Sequence, residues 1–132
     1  MATEFFVTRK DAARARYASD LVLVDGWGLI AGVLPIDLAD DRVHLPEQVE
    51  AQTRKILANL ETIIGAKGLG KEHVVSVRIA LVDPPRLQER METAYAGFFA
   101  DGKLPARSLI GVTHLPRGAL VSMDFTLRAA SV

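Results

Sequence analysis

The clearest pattern in this sequence is an alternation of apolar and polar residues near its C-terminus. Within Ala119 to Ala129 the apolar residues are Val121, Met123, Phe125 and Leu127, and the polar residues between them are Ser122, Asp124, Thr126 and Arg128. A period of two is typical of a β-strand with one face against a core and the other toward solvent. The chain is therefore expected to fold around a sheet that has one apolar and one more polar face.

The remainder of the chain divides into short apolar runs and two segments with helical periodicity. The other predicted strands are Phe5 to Thr8, Leu21 to Val24, Trp27 to Val33, Val74 to Val82 and Ala106 to His114. Apolar residues recur every three or four positions in the predicted helices, about Pro46 to Ala66 and about Pro85 to Phe99. The order β-β-β-α-β-α-β-β predicts an α+β fold, in one domain that spans residues 1–132.

Two helices are enough to cover one face of such a wide sheet. We expect the other face to carry Arg78, Arg107, Ser122 and Asp124, mixed with small or apolar residues. A surface of this mixed character favours self-association. The sequence therefore predicts a homo-oligomer with sites between its subunits.

Composition excludes several classes of protein. The 49% hydrophobic and 24% charged residues are those of a globular chain. Sixteen basic residues balance sixteen acidic ones, which disfavours a nucleic-acid partner. No apolar run approaches the roughly 18 residues that span a bilayer, so no membrane partner is expected. The N-terminus lacks the features of a secretory signal, and we expect a cytoplasmic protein.

Metal chemistry is also disfavoured by the sequence. The chain has no cysteine, which excludes disulfides and thiolate metal sites and fits a reducing compartment. His44, His73 and His114 are spread along the chain without the close spacing of metal ligands. We therefore expect no metal.

Arg107 is the candidate binding residue that the sequence itself suggests. It follows a turn at the start of a predicted strand, where its planar guanidinium could bind a carboxylate through two hydrogen bonds. A purely structural ion pair explains the same arginine equally well. Ser122 and Asp124 share one face of the last strand, which is also what a solvated sheet face would show.

Five stretches of the chain together resemble a known family. They are Glu47–Thr53 continuing to Leu60, Val74–Asp83, Tyr95 with Phe98–Phe99, Pro105–Ser108 and Leu115–Ala119. In this order and at this spacing they resemble the YjgF-type reactive-intermediate deaminase (Rid) family, over about Tyr17 to Leu127. The resemblance implies a chorismate-mutase-like fold, a homotrimer around a barrel of sheets, and three ligand sites in the clefts between subunits.

The resemblance also implies an activity and its residues. The family's deaminases hydrolyse enamines and imines to 2-oxo acids and ammonia without a metal or cofactor. Arg107 matches the arginine that binds the substrate carboxylate, and Tyr17 resembles the family's site tyrosine. Gly32 and Leu109 fall where backbone groups line the pocket. The implied ligand is thus a small carboxylated imine or enamine, or a 2-oxo acid.

Four positions in three parts of the chain depart from the family pattern. Ala31-Gly32-Val33 replaces the usual Ser-Gly-Gln, Glu92 replaces an asparagine, and Ser122 replaces the glutamate thought to orient the attacking water. A serine can bind a water but cannot act as its base at neutral pH. Glu92, beside Arg107, could orient the water or neutralise the arginine in the empty site, and it could equally lie exposed on its helix. Asp124 is expected to be too short and too far along the strand to substitute.

These departures leave several functions open. The first is hydrolysis of an enamine or imine, with Arg107, Glu92 and Ser122 in the site. The second is a non-catalytic or regulatory carboxylate-binding trimer. Such a protein would keep Arg107 and lose the water-activating acid, and the serine at position 122 shows that loss. An endoribonuclease or translation inhibitor would need a basic surface, which the zero net charge disfavours. A chaperone-like holdase would need exposed apolar surface.

Overall fold

A computed structural model describes residues 2–43 and 48–129. The strands are β1 (Glu4–Phe6), β2 (Leu21–Val24), β3 (Trp27–Val33), β4 (Val74–Val82), β5 (Ala106–Val112) and β6 (Val121–Arg128). The helices are α1 (Val49–Gly65) and α2 (Pro84–Tyr95), with short 3-10 turns at Ala13–Arg16, Lys71–His73 and Pro116–Gly118. The predicted order of elements is confirmed. No helix in the described ranges is long and apolar enough to cross a membrane.

The six strands form one mixed sheet in the order β1-β2-β3-β6-β4-β5. Strands β4 and β5 are parallel, and the other neighbours are antiparallel. Asp25 and Gly26, with φ of 50° and 80°, make the tight turn between β2 and β3 that the sequence predicted. Strand β5 lies at one edge of the sheet, which leaves alternate backbone groups of that strand facing away from β4.

The core lies between the two helices and one face of the sheet. The apolar residues of the alternating strand β6 are all 1% exposed or less: Val121, Met123, Phe125 and Leu127. Helix α1 packs Ile56 and Leu60 into this core, and α2 adds Leu87 and Met91. The expected placement of both helices on one face is confirmed, and neither helix covers the opposite face, which we call the open face.

The position of Arg107 corrects one sequence expectation. Residues directly opposite each other in a sheet share a face, and Arg107 is opposite Val77, which is 1% exposed in the core. Arg107 therefore lies on the face that carries the helices. Arg78 is opposite Asp124 and both lie on the open face, as expected. The sequence of β5 has no clear alternation of apolar and polar residues, so it does not predict which of its side chains face the core.

Several predicted boundaries also differ from the structure. Helix α2 ends at Tyr95 and not at Phe99, because Ala96 is extended (ψ 140°) and Gly97 has a φ of 83°. Strand β1 ends at Phe6, and β5 ends at Val112. The predicted start of the first helix, Pro46, lies outside the described residues. Within the described residues, α1 begins at Val49.

An arginine network fixes the segment that precedes β2. All five N–H donors of Arg14 are used: they reach Asp20, Asp41, the hydroxyl of Thr8 and the carbonyl of Leu38 at 2.5–3.1 Å. Asp41, 1% exposed, also accepts the backbone N–H of Arg14 at 2.9 Å. This network holds the segment that leads to Tyr17 against the loop after β3.

Candidate functional site

Arg107 is the second residue of the edge strand β5, and Glu92 lies in the last turn of α2. The two terminal nitrogens of the Arg107 guanidinium donate to the two carboxylate oxygens of Glu92, at 2.6 and 2.5 Å. This is the two-pronged geometry by which arginine binds any carboxylate. Both side chains are about one-third exposed, at 29% and 33%, so the pair borders solvent.

The electrostatics of the pair follow from this contact. The hydrogen bonds from Arg107 hold the pKa of Glu92 below its ordinary value, against a smaller opposing effect of burial. The same hydrogen bonds raise the pKa of Arg107. Glu92 is therefore ionised at neutral pH and offsets the positive charge of Arg107.

Tyr95 completes this group of residues on α2. The guanidinium carbon of Arg107 lies 5.0 Å from the centre of the Tyr95 ring, within range of a cation–π contact. Burial raises the pKa of the Tyr95 hydroxyl. The ring thus supports one side of the guanidinium while Glu92 engages its end. Tyr95 was recognised only as part of a family motif. Its position three residues after Glu92 could have indicated that both reach the same arginine.

Tyr17 and Gly32 lie away from the β5 edge, Tyr17 just after a 3-10 turn and Gly32 in the central strand β3. Tyr17 is 84% exposed and lines an open cleft of ≈ 550 Å³ with Phe5, Leu29 and Ala31. Gly32 follows Ala31 at an irregularity in the pairing of β3 with β6, where its φ is 65°. An L-residue other than glycine rarely adopts this conformation, so the irregularity favours glycine.

Asp124 has a role that sequence reasoning missed. Its Oδ1 accepts the backbone N–H of Gly32 at 2.6 Å, so this carboxylate holds the irregular part of β3. The bond depends on the register between β3 and β6, which no local pattern encodes. Ser122, two residues earlier on β6, is 8% exposed and lies opposite Ala80 on the open face.

Within one chain the candidate residues form two separate groups. Arg107, Glu92 and Leu109 lie on the helix face near the β5 edge, and Leu109 packs partly against the core. Tyr17, Gly32 and Ser122 belong to the other part of the sheet. Strand β3 is three strand spacings from β5, about 14 Å at ~4.8 Å each. One ligand cannot contact both Arg107 and Gly32 of the same chain.

The described residues contain no cluster of three or more histidines, aspartates or glutamates that could hold a metal ion. The Nδ1 atom of His73 lies 3.0 Å from the backbone nitrogen of Gly70 and accepts its hydrogen bond. His44 lies outside the described residues.

Comparisons with known proteins agree on one family. The sequence profile described as Endoribonuclease L-PSP matches residues 8–128. A RutC family protein of Pyrococcus horikoshii is 32% identical over 80% of this chain and 82% of its own length. A RutC family protein of Pyrococcus abyssi is 27% identical over 94% of this chain and 95% of its own length.

The solved structures give the same result. YyfA of Yersinia pestis, described as a protein of unknown function of the conserved Rid family, is 27% identical. It superposes with a TM-score of 0.84 over 97% of this chain and 100% of its own. The similarity therefore extends over the whole sheet and both helices.

Proposed function

Because the chain belongs to the Endoribonuclease L-PSP family, which includes the Rid/YjgF proteins, we propose that it hydrolyses a small carboxylated enamine or imine. The products are a 2-oxo acid and ammonia, and Arg107 binds the carboxylate. The observation that carries the proposal is the Arg107 guanidinium itself. It is oriented by Tyr95 and already holds one carboxylate, that of Glu92, in two hydrogen bonds.

We further propose a homotrimer in which each site lies between two subunits. The two separate groups of candidate residues support this arrangement, since a neighbouring subunit can bring Tyr17, Gly32 and Ser122 toward Arg107. The open face supports it too, because Phe5, Trp27, Leu29 and Ile110 are each 44–72% exposed there. Apolar surface of this extent is normally covered by a partner.

The reaction requires little from the protein. Water adds to the imine carbon and one of its protons passes to nitrogen, which gives a carbon that carries both a hydroxyl and an amino group. The hydroxyl proton then also passes to nitrogen as the carbon–nitrogen bond breaks, which leaves the carbonyl of the 2-oxo acid and releases ammonia. Arg107 fixes the carboxylate and so holds the neighbouring imine carbon in place, which replaces a random encounter by a positioned one. Glu92 and the hydroxyl of Ser122 are the groups proposed to orient the water. The backbone at Gly32 and Leu109 and the ring of Tyr17 line the pocket.

A non-catalytic carboxylate-binding trimer is the second candidate. The serine at position 122 favours it, since a hydroxyl cannot serve as the base. Both candidates use the same Arg107 site, and we propose a cytoplasmic location for either, so only turnover separates them.

The test is ammonia release from 2-iminopropanoate generated in situ by an amino-acid dehydratase. The wild-type protein is expected to exceed the spontaneous rate, and Arg107→Ala is expected to abolish that excess. Arg90→Ala is the matched control, because Arg90 of α2 also makes a two-pronged pair with a glutamate, Glu50 of α1, through Nε and one terminal nitrogen. Wild-type ammonia release no faster than spontaneous hydrolysis, together with carboxylate binding, would favour the regulatory trimer.

A further inference from the structure

The Arg107–Glu92 pair sets a condition on any ligand that enters the site. Glu92 occupies one N–H of each terminal nitrogen of Arg107, so an incoming carboxylate either displaces the Glu92 carboxylate or binds the remaining N–H groups directly beside it. A displaced Glu92 carboxylate loses the partner that stabilises its charge. Its remaining hydrogen-bonding neighbour is Gln88, which is neutral.

Glu92 cannot move far once it is displaced. Its helix is anchored in the core by Leu87 and Met91, which are 1% and 0% exposed. The side chain can rotate, but its Cα stays in place, so its charge remains close to the carboxylate that has taken its position. Two carboxylates that share one guanidinium repel each other, and this repulsion weakens the binding of a simple anion.

A cationic nitrogen next to the ligand carboxylate removes this penalty. The ligand carboxylate then pairs with Arg107 while its nitrogen pairs with Glu92, so that each charge keeps an opposite partner. We propose that Glu92 makes the Arg107 site select zwitterions, in which a carboxylate and a cationic nitrogen are attached to the same carbon, over plain carboxylate anions. This inference rests on the proposed function only in taking Arg107 as the carboxylate site.

The selection has a consequence for the reaction. A protonated 2-imino acid carries both a carboxylate and an iminium nitrogen, whereas its hydrolysis product, the 2-oxo acid, carries the carboxylate alone. Hydrolysis of the iminium acid with one water gives the 2-oxo acid anion and ammonium, so the cation leaves the ligand in the reaction itself. Glu92 then competes with the product for Arg107 and promotes its release.

The experiment compares two ligands of nearly equal shape that differ in one charge. Alanine and propionate are titrated into the wild-type protein by calorimetry. The wild type is expected to bind the tighter enantiomer of alanine at least about tenfold more strongly than propionate. In Glu92→Gln this preference is expected to disappear, with weaker alanine binding and stronger propionate binding.

Glu50→Gln is the matched control, since Glu50 makes the equivalent pair with Arg90 outside the site, and its alanine preference should equal that of the wild type. Light scattering on each variant verifies an unchanged assembly. An unchanged preference in Glu92→Gln, or a wild type that prefers propionate, overturns the inference. Loss of binding of both ligands in Arg107→Ala supports the proposed carboxylate site, whatever the result for Glu92→Gln. Unchanged binding in Arg107→Ala, or no wild-type binding of either ligand, contradicts both.

Discussion

Arg107 and Ser122 lie on opposite faces of one sheet. Arg107 is opposite the core residue Val77, whereas Ser122 is opposite Ala80, whose side chain points the other way. Strand β4 also separates the two residues laterally. A site that uses both therefore needs two subunits, and this relationship is the structural basis of the first prediction.

The protein is predicted to be a trimer in solution. Light scattering should give three times the 14.3 kDa mass of one chain. Leu29→Glu, which places a charge on a residue 48% exposed on the open face, should shift the mass toward one chain, because the charge would be buried between subunits. Lys55→Glu on the helix side is a control expected to leave the trimer intact. A monomeric wild type would contradict the arrangement.

Glu92→Gln is predicted to reduce imine hydrolysis by at least about tenfold, within the usual range for loss of acid–base assistance. The amide keeps the shape of the side chain and loses its charge. Asp124→Asn should have much less effect, because Asp124 is committed to the N–H of Gly32 and the amide oxygen can still accept that bond. Initial rates of ammonia release check both variants.

A different result for the Glu92 and Ser122 variants would assign the attacking water to another group. Turnover that is unaffected by Glu92→Gln but collapses in Ser122→Ala would assign the water to the serine hydroxyl and the backbone. Glu50→Gln controls for the general effect of removing one surface carboxylate near α2.

Asp124→Ala is predicted to destabilise the fold by about 1 kcal/mol, the usual net value of a hydrogen bond. The N–H of Gly32 loses its acceptor, and the irregular segment of β3 loses its anchor to β6. Asp124→Asn should lose less stability. Urea unfolding at neutral pH measures the difference, and equal stabilities of the alanine variant and the wild type would remove this role from Asp124.

Stability is predicted to fall at acidic pH through the Arg14 network. Burial raises the pKa of Asp20 and Asp41, but the hydrogen bonds and charge of Arg14, together with two hydrogen bonds from Thr8 to Asp20, outweigh burial and hold both pKa values below their ordinary values. The unfolded chain then takes up protons first as the pH falls. The stabilisation is present above about pH 4 and is lost as the pH falls through the folded-state pKa values.

Urea midpoints measured from neutral to acidic pH check this expectation. Asp41→Asn should be less stable at neutral pH by about 1–3 kcal/mol and show a smaller further loss in acid. Asparagine tolerates the left-handed backbone at this position, where φ is 62°, so the variant isolates the charge. Asp11→Asn, an exposed partner of Arg9, should leave the profile unchanged.

The sequence predicted those parts of the fold that local periodicity encodes. The alternation in β6 identified its buried face, and the order of elements and the turn at Asp25-Gly26 were also predicted correctly. The side of the sheet on which each β5 residue lies was not predicted, because Ala106–Val112 has no alternation of apolar and polar residues and forms an edge strand. The end of α2 was missed because apolar residues continue past Gly97 and pack as a separate turn.

The candidate site was predictable to a lesser extent. Arg107 and Glu92 were selected by their match to family positions, and the structure adds that they contact each other directly. The bond between Asp124 and Gly32 and the support of Arg107 by Tyr95 depend on strand register and helix placement. Neither can be read from spacing along the chain.

The most direct measurement of the central claim is the kinetics of Arg107 variants with 2-iminopropanoate. Arg107→Ala should lower kcat/KM by about a hundredfold or more, since a charge-assisted pair of hydrogen bonds supplies both affinity and orientation. Arg107→Lys should recover little, because a single ammonium cannot reproduce the two-pronged contact. Arg90→Ala should match the wild type. A kcat/KM in Arg107→Ala equal to that of the wild type would contradict the assignment of Arg107 as the carboxylate site.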